Sequence, residues 1–204
     1  MARLTRQQED DLRKEFRGLV RKTKEVSSSA KSNNKSIKWF KDTVMKSLKT
    51  HTVTKPKVGR LYSFAYDAKH KKTLPYFDRF PLSVCIAVAN DRWYSINLHY
   101  LPVSFRTSFL EELLVRYANN RTLSRGSISN STHLKIDWGK IKNFNPRVFE
   151  HALTSYLPHH MKSSLNEINP KEWHLAANMP SQQFVSYESG KHKRYSAQKV
   201  WSRF

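Results

Sequence analysis

The sequence holds one cysteine and five glycines in 204 residues, and 16 acidic side chains against 37 lysines and arginines. A single cysteine, Cys85, excludes an internal disulfide and any Cys-x-x-Cys metal or redox motif. It lies in the apolar run PLSVCIAVA (81–89) and reads as a buried core thiol rather than a nucleophile. Neither GxxxxGK[ST] nor GxGxxG occurs, so no glycine loop is expected to cradle a nucleotide phosphate. GxSxG is absent too, which removes the usual nucleophile elbow. No run approaches the ~18 apolar residues of a membrane-spanning helix. The opening residues MARLTRQQEDDLRKEF are polar and lack the apolar centre of a signal peptide. With the lone thiol, this predicts synthesis in a reducing cytosol.

What is present is positive charge. The formal net charge is +21 and the isoelectric point about 10.2. Self-repulsion on that scale opposes compaction, so the fold does not require it. A polyanionic partner accounts for it, with nucleic acid the first candidate and an anionic membrane surface the second.

Thr5 is an N-cap and Gln8 completes a capping box, with Glu9, Asp10 and Asp11 in the first turn. Leu12, Phe16, Leu19 and Val20 then recur at helical spacing, so residues 5–24 read as an amphipathic helix with a basic outer face. SSSAKSNNKS (27–36) reads as a flexible linker. Ser36 caps a second helix carrying Ile37, Phe40, Val44 and Leu48. From Gly59, Tyr62, Phe64 and Tyr66 alternate with Leu61, Ser63 and Ala65, which predicts a strand with its aromatic face buried. Residues 67–72 form a charged turn, and Pro75 and Pro81 force an extended crossing. Strands over 82–88 and 93–99 flank a tight turn at Asn90 and Asp91. This order resembles a small SH3-like barrel at about 58–101.

Pro102 opens a helix with Phe109, Leu110, Leu113, Leu114 and Tyr117 on its core stripe. HLKIDW (133–138) is strand-like, and Pro146 begins another helix, expected to reach Tyr156. YLPHHMKSSLNEI (156–168) is read as continuing helically after a break at Pro158, and Pro170 starts a short helix ended by Pro180. From Gln182 onward the chain reads as a polar, uncapped tail. The expectation is therefore an α+β protein. An N-terminal helix and linker occupy 1–35, a core with the small β-barrel surrounded by helices spans 36–180, and a basic tail spans 181–204, so that flexible basic arms flank the core.

Catalytic and metal signals are sparse. His159 and His160 are adjacent rather than one helical turn apart, and no HExxH occurs. His99 has no acidic residue in an evident pairing pattern and reads as a hydrogen-bonded core residue. Asp67 and Asp78 flank the proline crossing and would have to converge to hold a nuclease's Mg²⁺; turn capping or pairing with Arg79 is the plainer role. No catalytic residue, metal site, cofactor or small-molecule substrate is assigned. Binding signals are stronger. Lys191, Lys193, Arg194, Lys199 and Arg203 follow the last acid, Glu188, and are interleaved with Tyr195, Trp201 and Phe204. Lys69, Lys71 and Lys72 form a second cluster at a loop tip. Lysines and arginines release counterions from phosphates, and exposed rings stack on bases at strand ends. A tail that packs Trp201 on its own domain and leaves its lysines solvated is the alternative. No helix-turn-helix or zinc-finger pattern is present, so contacts to the nucleic-acid backbone are expected rather than base readout.

GRLYSFAYDAKHKKTLPYFDRFPL (59–82) and INLHYLP (96–102) resemble the DNA end protector family of T-even-like tailed phages, also called head completion proteins. WFKDTV (39–44), EWHLAANMP (172–180) and KVWSRF (199–204) resemble its flanking blocks. The resemblance runs in order over 36–204; the first 35 residues match nothing in it, and Ala68 stands where the family pattern has proline. It implies a non-enzymatic virion protein of the head or neck, present in the host cytoplasm during assembly. Such a protein binds the end of the packaged double-stranded DNA at the portal, shields it from host exonuclease and permits head–tail joining. Its implied partners are DNA ends and portal or neck proteins, with no membrane. A purely structural neck or baseplate protein gripping a ring-shaped neighbour is the alternative.

Overall fold

A computed structural model describes residues 3–32, 50–123, 146–179 and 181–202. The expected helix at 36–48 and the strand-like 133–138 lie outside the described residues. The chain divides into two units, each built from three separate stretches.

The elements described in the first unit (1–49, 103–135 and 169–180) are helices. It contains α1 (Arg6–Ser32), α2 (Val103–Leu123) and α3, the short helix Trp173–Asn178 entered through a 3-10 turn at Pro170–Glu172. The capping box forms: Thr5 N donates to Gln8 Oε1 at 2.9 Å, and Gln8 N to Thr5 Oγ1 at 3.3 Å. α1 runs eight residues beyond the expected end at residue 24, into the stretch read as linker. The four serines there are only middling helix formers, but they extend a ladder already nucleated, and each added residue contributes one more backbone bond. Phe16 and Val20 are buried, as are Leu110 and Leu113 of α2 and Trp173 of α3. Arg17 forms a two-pronged pair with Glu111 (2.7 and 2.7 Å), and Arg13 reaches Glu112 at 3.0 Å, tying α1 to α2.

The second unit (50–102, 136–168 and 181–204) carries the sheets. Six antiparallel strands lie in the order β1 (Thr50–Val53), β7 (Leu165–Ile168), β2 (Leu61–Ser63), β4 (Leu82–Val88), β5 (Trp93–Asn97), β6 (Leu153–Tyr156). A three-stranded sheet pairs β3 (Phe77–Asp78), β8 (Phe184–Glu188) and β9 (Lys191–Arg194). Mixed helix and sheet, as expected of an α+β chain, are present; a closed barrel is not. The six-stranded sheet is open among the described residues, with β1 and β6 at its ends. β7 inserts between β1 and β2, setting Ile168 opposite both Thr50 and Leu61.

Three further expectations are corrected. The helix from Pro146, now α4, stops at Ala152, and 153–156 become edge strand β6. Residues 156–168, read as helix, break at the 3-10 turn Pro158–His160 and continue as β7. Short apolar runs fit either period, and here strand partners decided. The tail is ordered as the hairpin of β8 and β9 followed by the short helix α5 (Ala197–Trp201), so the flexible C-terminal arm does not hold over these residues. Its turn places Ser189 at φ 50° and Gly190 at φ 79°. Two positive-φ residues match the twist of a two-residue hairpin.

The aromatic strand behaves as expected. Tyr62, Phe64 and Tyr66 are buried with Trp93, Tyr156 and Phe77 on one face of the six-stranded sheet. Their rings meet edge-on, Phe64 against Tyr156 at 5.0 Å and Tyr66 against Tyr156 at 4.8 Å, an arrangement worth about 0.5–1.5 kcal/mol per pair beyond area burial. Cys85 is fully buried, and burial pushes its thiol up to about 12 against a weak contact with the Ala87 carbonyl.

Candidate nucleic-acid interface

The basic clusters lie apart in sequence and meet in the second unit. Residues 67–74 form a tight turn in which Lys71 N donates to Ala68 O and Leu74 N to His70 O. The turn is stitched to 157–162: Asp67 N donates to His160 O at 3.1 Å, and Lys162 N to Ala65 O at 2.8 Å. The hairpin joins it from the other side. His192 Nε2 lies 3.8 Å from Asp67 Oδ1, and the Lys71 ammonium sits 5.2 Å above the Tyr187 ring. His192 also packs edge-on against Phe77 and Tyr187.

Asp67 is the pin of this junction. Burial would push its carboxyl up, but the hydrogen bond from Lys71 (2.7 Å) and the charges of Lys71, His192 and Lys162 outweigh that and hold it below its ordinary value. It is thus committed to cations of its own chain. Lys69 and Lys72 are exposed on the turn, and Lys191, His192, Lys193 and Arg194 are exposed along the whole of β9. Lys193 pairs with Glu188, while Lys191 sits across the strand pair from the same residue. Arg79 and Lys162 are exposed as well and line a small depression of about 170 Å³ with Asp67 and His192. Sequence reasoning did not assign these two to the face; only the fold brings Lys162 near Asp67.

The remaining candidates lie on α5. Lys199 is exposed, and Trp201 is half-buried with its indole Nε1 donating to the His99 carbonyl at 2.8 Å. The indole packs beside Tyr76, Phe184 and Val200, so it anchors the C-terminal helix. Arg203 lies outside the described residues.

Behind the hairpin is a buried polar network that the sequence did not reveal. Asp78 Oδ2 lies 2.6 Å from His99 Nδ1, and His99 Nε2 lies 3.0 Å from Ser181 Oγ. Asp78 Oδ1 accepts from the backbone amides of Phe80 and Gln183, both at 3.1 Å, and Oδ2 also accepts from Asn97 Nδ2 at 3.2 Å. Burial alone would push Asp78 up; the His99 charge and these hydrogen bonds reverse that and place it below its ordinary value. The order of atoms is that of a serine–histidine–aspartate relay. A relay, however, needs its serine open to substrate, and Asp78, His99 and Ser181 are only 3%, 0% and 5% exposed. The network binds β3, the turn after β5 and the approach to β8 into one piece, and so fixes the root of the hairpin. His99 stands in the 3-10 turn Leu98–Tyr100 rather than in the strand expected there.

The two aspartates of the metal reading each have a partner from this chain. Asp67 is taken by Lys71 and Asp78 by His99, and no group of three or more His, Cys, Asp or Glu among the described residues is placed to hold a metal ion. No helix among them is long and apolar enough to cross a membrane.

An α+β chain with a cationic hairpin beside a cationic turn, over a locked polar core and at a net charge of +21, belongs to the class of strongly basic α+β proteins. Within that class the family is defined by the whole sequence: the chain belongs to the Phage T4 terminal DNA protecting protein family, whose profile matches residues 1–204. The match takes in the first 35 residues, which the sequence reading had left outside the resemblance. Comparison with curated proteins gave no match, nor did comparison with solved structures.

Proposed function

We propose that this chain binds the ends of double-stranded DNA and shields them from exonuclease, and that the face made by β9 and the 67–74 turn holds the DNA backbone. One observation carries the reading: β9 is exposed at every residue, Lys191, His192, Lys193 and Arg194, and is fixed beside Lys69 and Lys72 through Asp67 and Tyr187. Side chains alternate along β9, so His192 and Arg194 share the face of Tyr187 and the 67–74 turn while Lys191 and Lys193 project on the other side with Glu188; cations carried on a strand already paired in a sheet keep the entropic cost of binding low. Lys199 adds an exposed cation on α5, and Trp201 holds that helix in place. Arg203 adds a charge in sequence beside them. The protein acts without catalysis, within the virion, at the portal or neck, where an occupied DNA end permits head–tail joining.

The test is the salt dependence of duplex binding. Each phosphate contact contributes a slope of about 0.9 in log K against log salt. Replacing Lys69, Lys72, Lys191 and Arg194 by alanine should reduce the slope by roughly 2–4. An unchanged slope removes this face from the interface. Binding to an acidic protein ring with no DNA affinity would move the chain to the structural-joint reading.

A further inference from the structure

The second unit holds a cleft of about 620 Å³ that adjoins the backbone-binding face. One wall is the turn after Ala68, with Lys69, His70 and Leu74; the other is edge strand β6, with Leu153. Tyrosine rings line its depth, and Arg92 reaches it from the turn between β4 and β5. The volume lies in the range of pockets that enclose a single small ligand, roughly 300–1,000 Å³. It is far too narrow for a double helix and wide enough for one nucleotide.

Three features define what fits. The lining is aromatic and aliphatic, with Lys69, His70, Arg92 and His151 as its cationic or titratable groups; Arg92 is paired with the neighbouring Asp91 through Nε (3.0 Å) and Nη2 (2.7 Å), an exposed, solvent-screened pair that a phosphate can share. Its carboxylate, Asp78, is turned to His99, Asn97 and two backbone amides and is not offered to a ligand. Such a cleft selects a flat, anionic molecule. Leu74 and Leu153 are 40% and 47% exposed, two of the few large apolar side chains among the described residues left in water. A base lying across them would remove that surface from solvent. Finally, the cleft and the backbone face share one turn: Lys69 belongs to both, and Lys72 stands three residues on. A strand held on the face has its end next to the cleft.

From this geometry we infer that the cleft takes the unpaired terminal nucleotide of a DNA strand, base toward the rings and phosphate toward Lys69 and Arg92. End recognition is then a property of the cleft, and general affinity a property of the face. The inference rests on the end-binding reading and supplies its specificity.

The experiment measures fluorescence anisotropy at physiological salt with three probes: a covalently closed duplex circle, a blunt linear duplex, and the same duplex with a three-nucleotide single-stranded extension ending in 2-aminopurine. The full chain is compared with Leu153→Glu and, in case that variant disturbs folding, with Arg92→Ala. The wild type should prefer the extended end over the blunt one by roughly 5- to 150-fold, the range for one stacked base, and should quench the 2-aminopurine. Both variants should lose most of that preference and the quench while binding the circle as before. A preference that survives in the variants overturns the cleft, as does equal wild-type affinity for extended and blunt ends. If blunt ends still beat circles in that second case, end binding stands and only the cleft falls. A wild type that binds none of the probes sinks both.

Discussion

Replacing Asp78 by alanine should unseat the hairpin from the sheet. The carboxylate accepts four hydrogen bonds, from His99 Nδ1, Asn97 Nδ2 and the amides of Phe80 and Gln183, and is 3% exposed. Its removal leaves those donors buried without an acceptor, and breaking a buried charged pair costs about 3–5 kcal/mol. For a chain of this length each kcal/mol lowers Tm by roughly 2–4 °C, so a drop of about 6–20 °C follows. Circular dichroism on heating reads it, and limited proteolysis should show new cleavage in 181–195. The pH dependence has a definite sign. Asp78's folded pKa is below its ordinary 3.8, so its stabilisation is present above that value and is lost as pH falls through the folded one. Wild type should therefore lose stability below about pH 4 more steeply than Asp78→Asn. A Tm loss under about 3 °C for Asp78→Ala, or parallel pH profiles for wild type and Asp78→Asn, would refute the claim that this carboxylate holds the hairpin's root.

Three further outcomes are expected. Cys85, with its thiol pushed up to about 12 in a fully buried site, should resist alkylation at pH 8 in the folded protein and react at once in denaturant; rapid native labelling contradicts the packing. Trp201→Phe should cost about 1 kcal/mol through loss of the indole bond to the His99 carbonyl, read as a shift in denaturation midpoint. In the helical unit, Glu111→Ala frees Arg17, while Arg13 keeps Glu112, and should cost about 1 kcal/mol because Arg17 is 67% exposed and screened; chemical denaturation measures it.

Local chemistry was legible where one neighbour decides the outcome. The capping box at Thr5 and Gln8, the buried aromatic face of Tyr62, Phe64 and Tyr66, the strand 82–88 and the turn at Asn90 and Asp91 stand where short-range rules put them. What failed needed partners distant in sequence. β7 is a strand because β1 and β2 flank it, and the residues 156–168 carry no period that says so. The tail reads as coil until β3 pairs with β8 and Asp78 takes the Gln183 amide. His99 and Asp78 are 21 residues apart, and Ser181 is 82 from His99, so their network exists only in the fold. The charge of the candidate face was legible residue by residue; that Lys71 and Tyr187 bring its two halves together was not.

Exonuclease digestion of linear duplex DNA, at a few protein molecules per end and physiological salt, tests the central claim most directly. Wild type should leave the ends intact at protein levels too low to coat the duplex, and the alanine variant of Lys69, Lys72, Lys191 and Arg194 should leave them open. Protection that begins only when protein covers the whole duplex, equally with and without those four side chains, would mean the +21 charge gives general DNA binding and that this face does not guard the end.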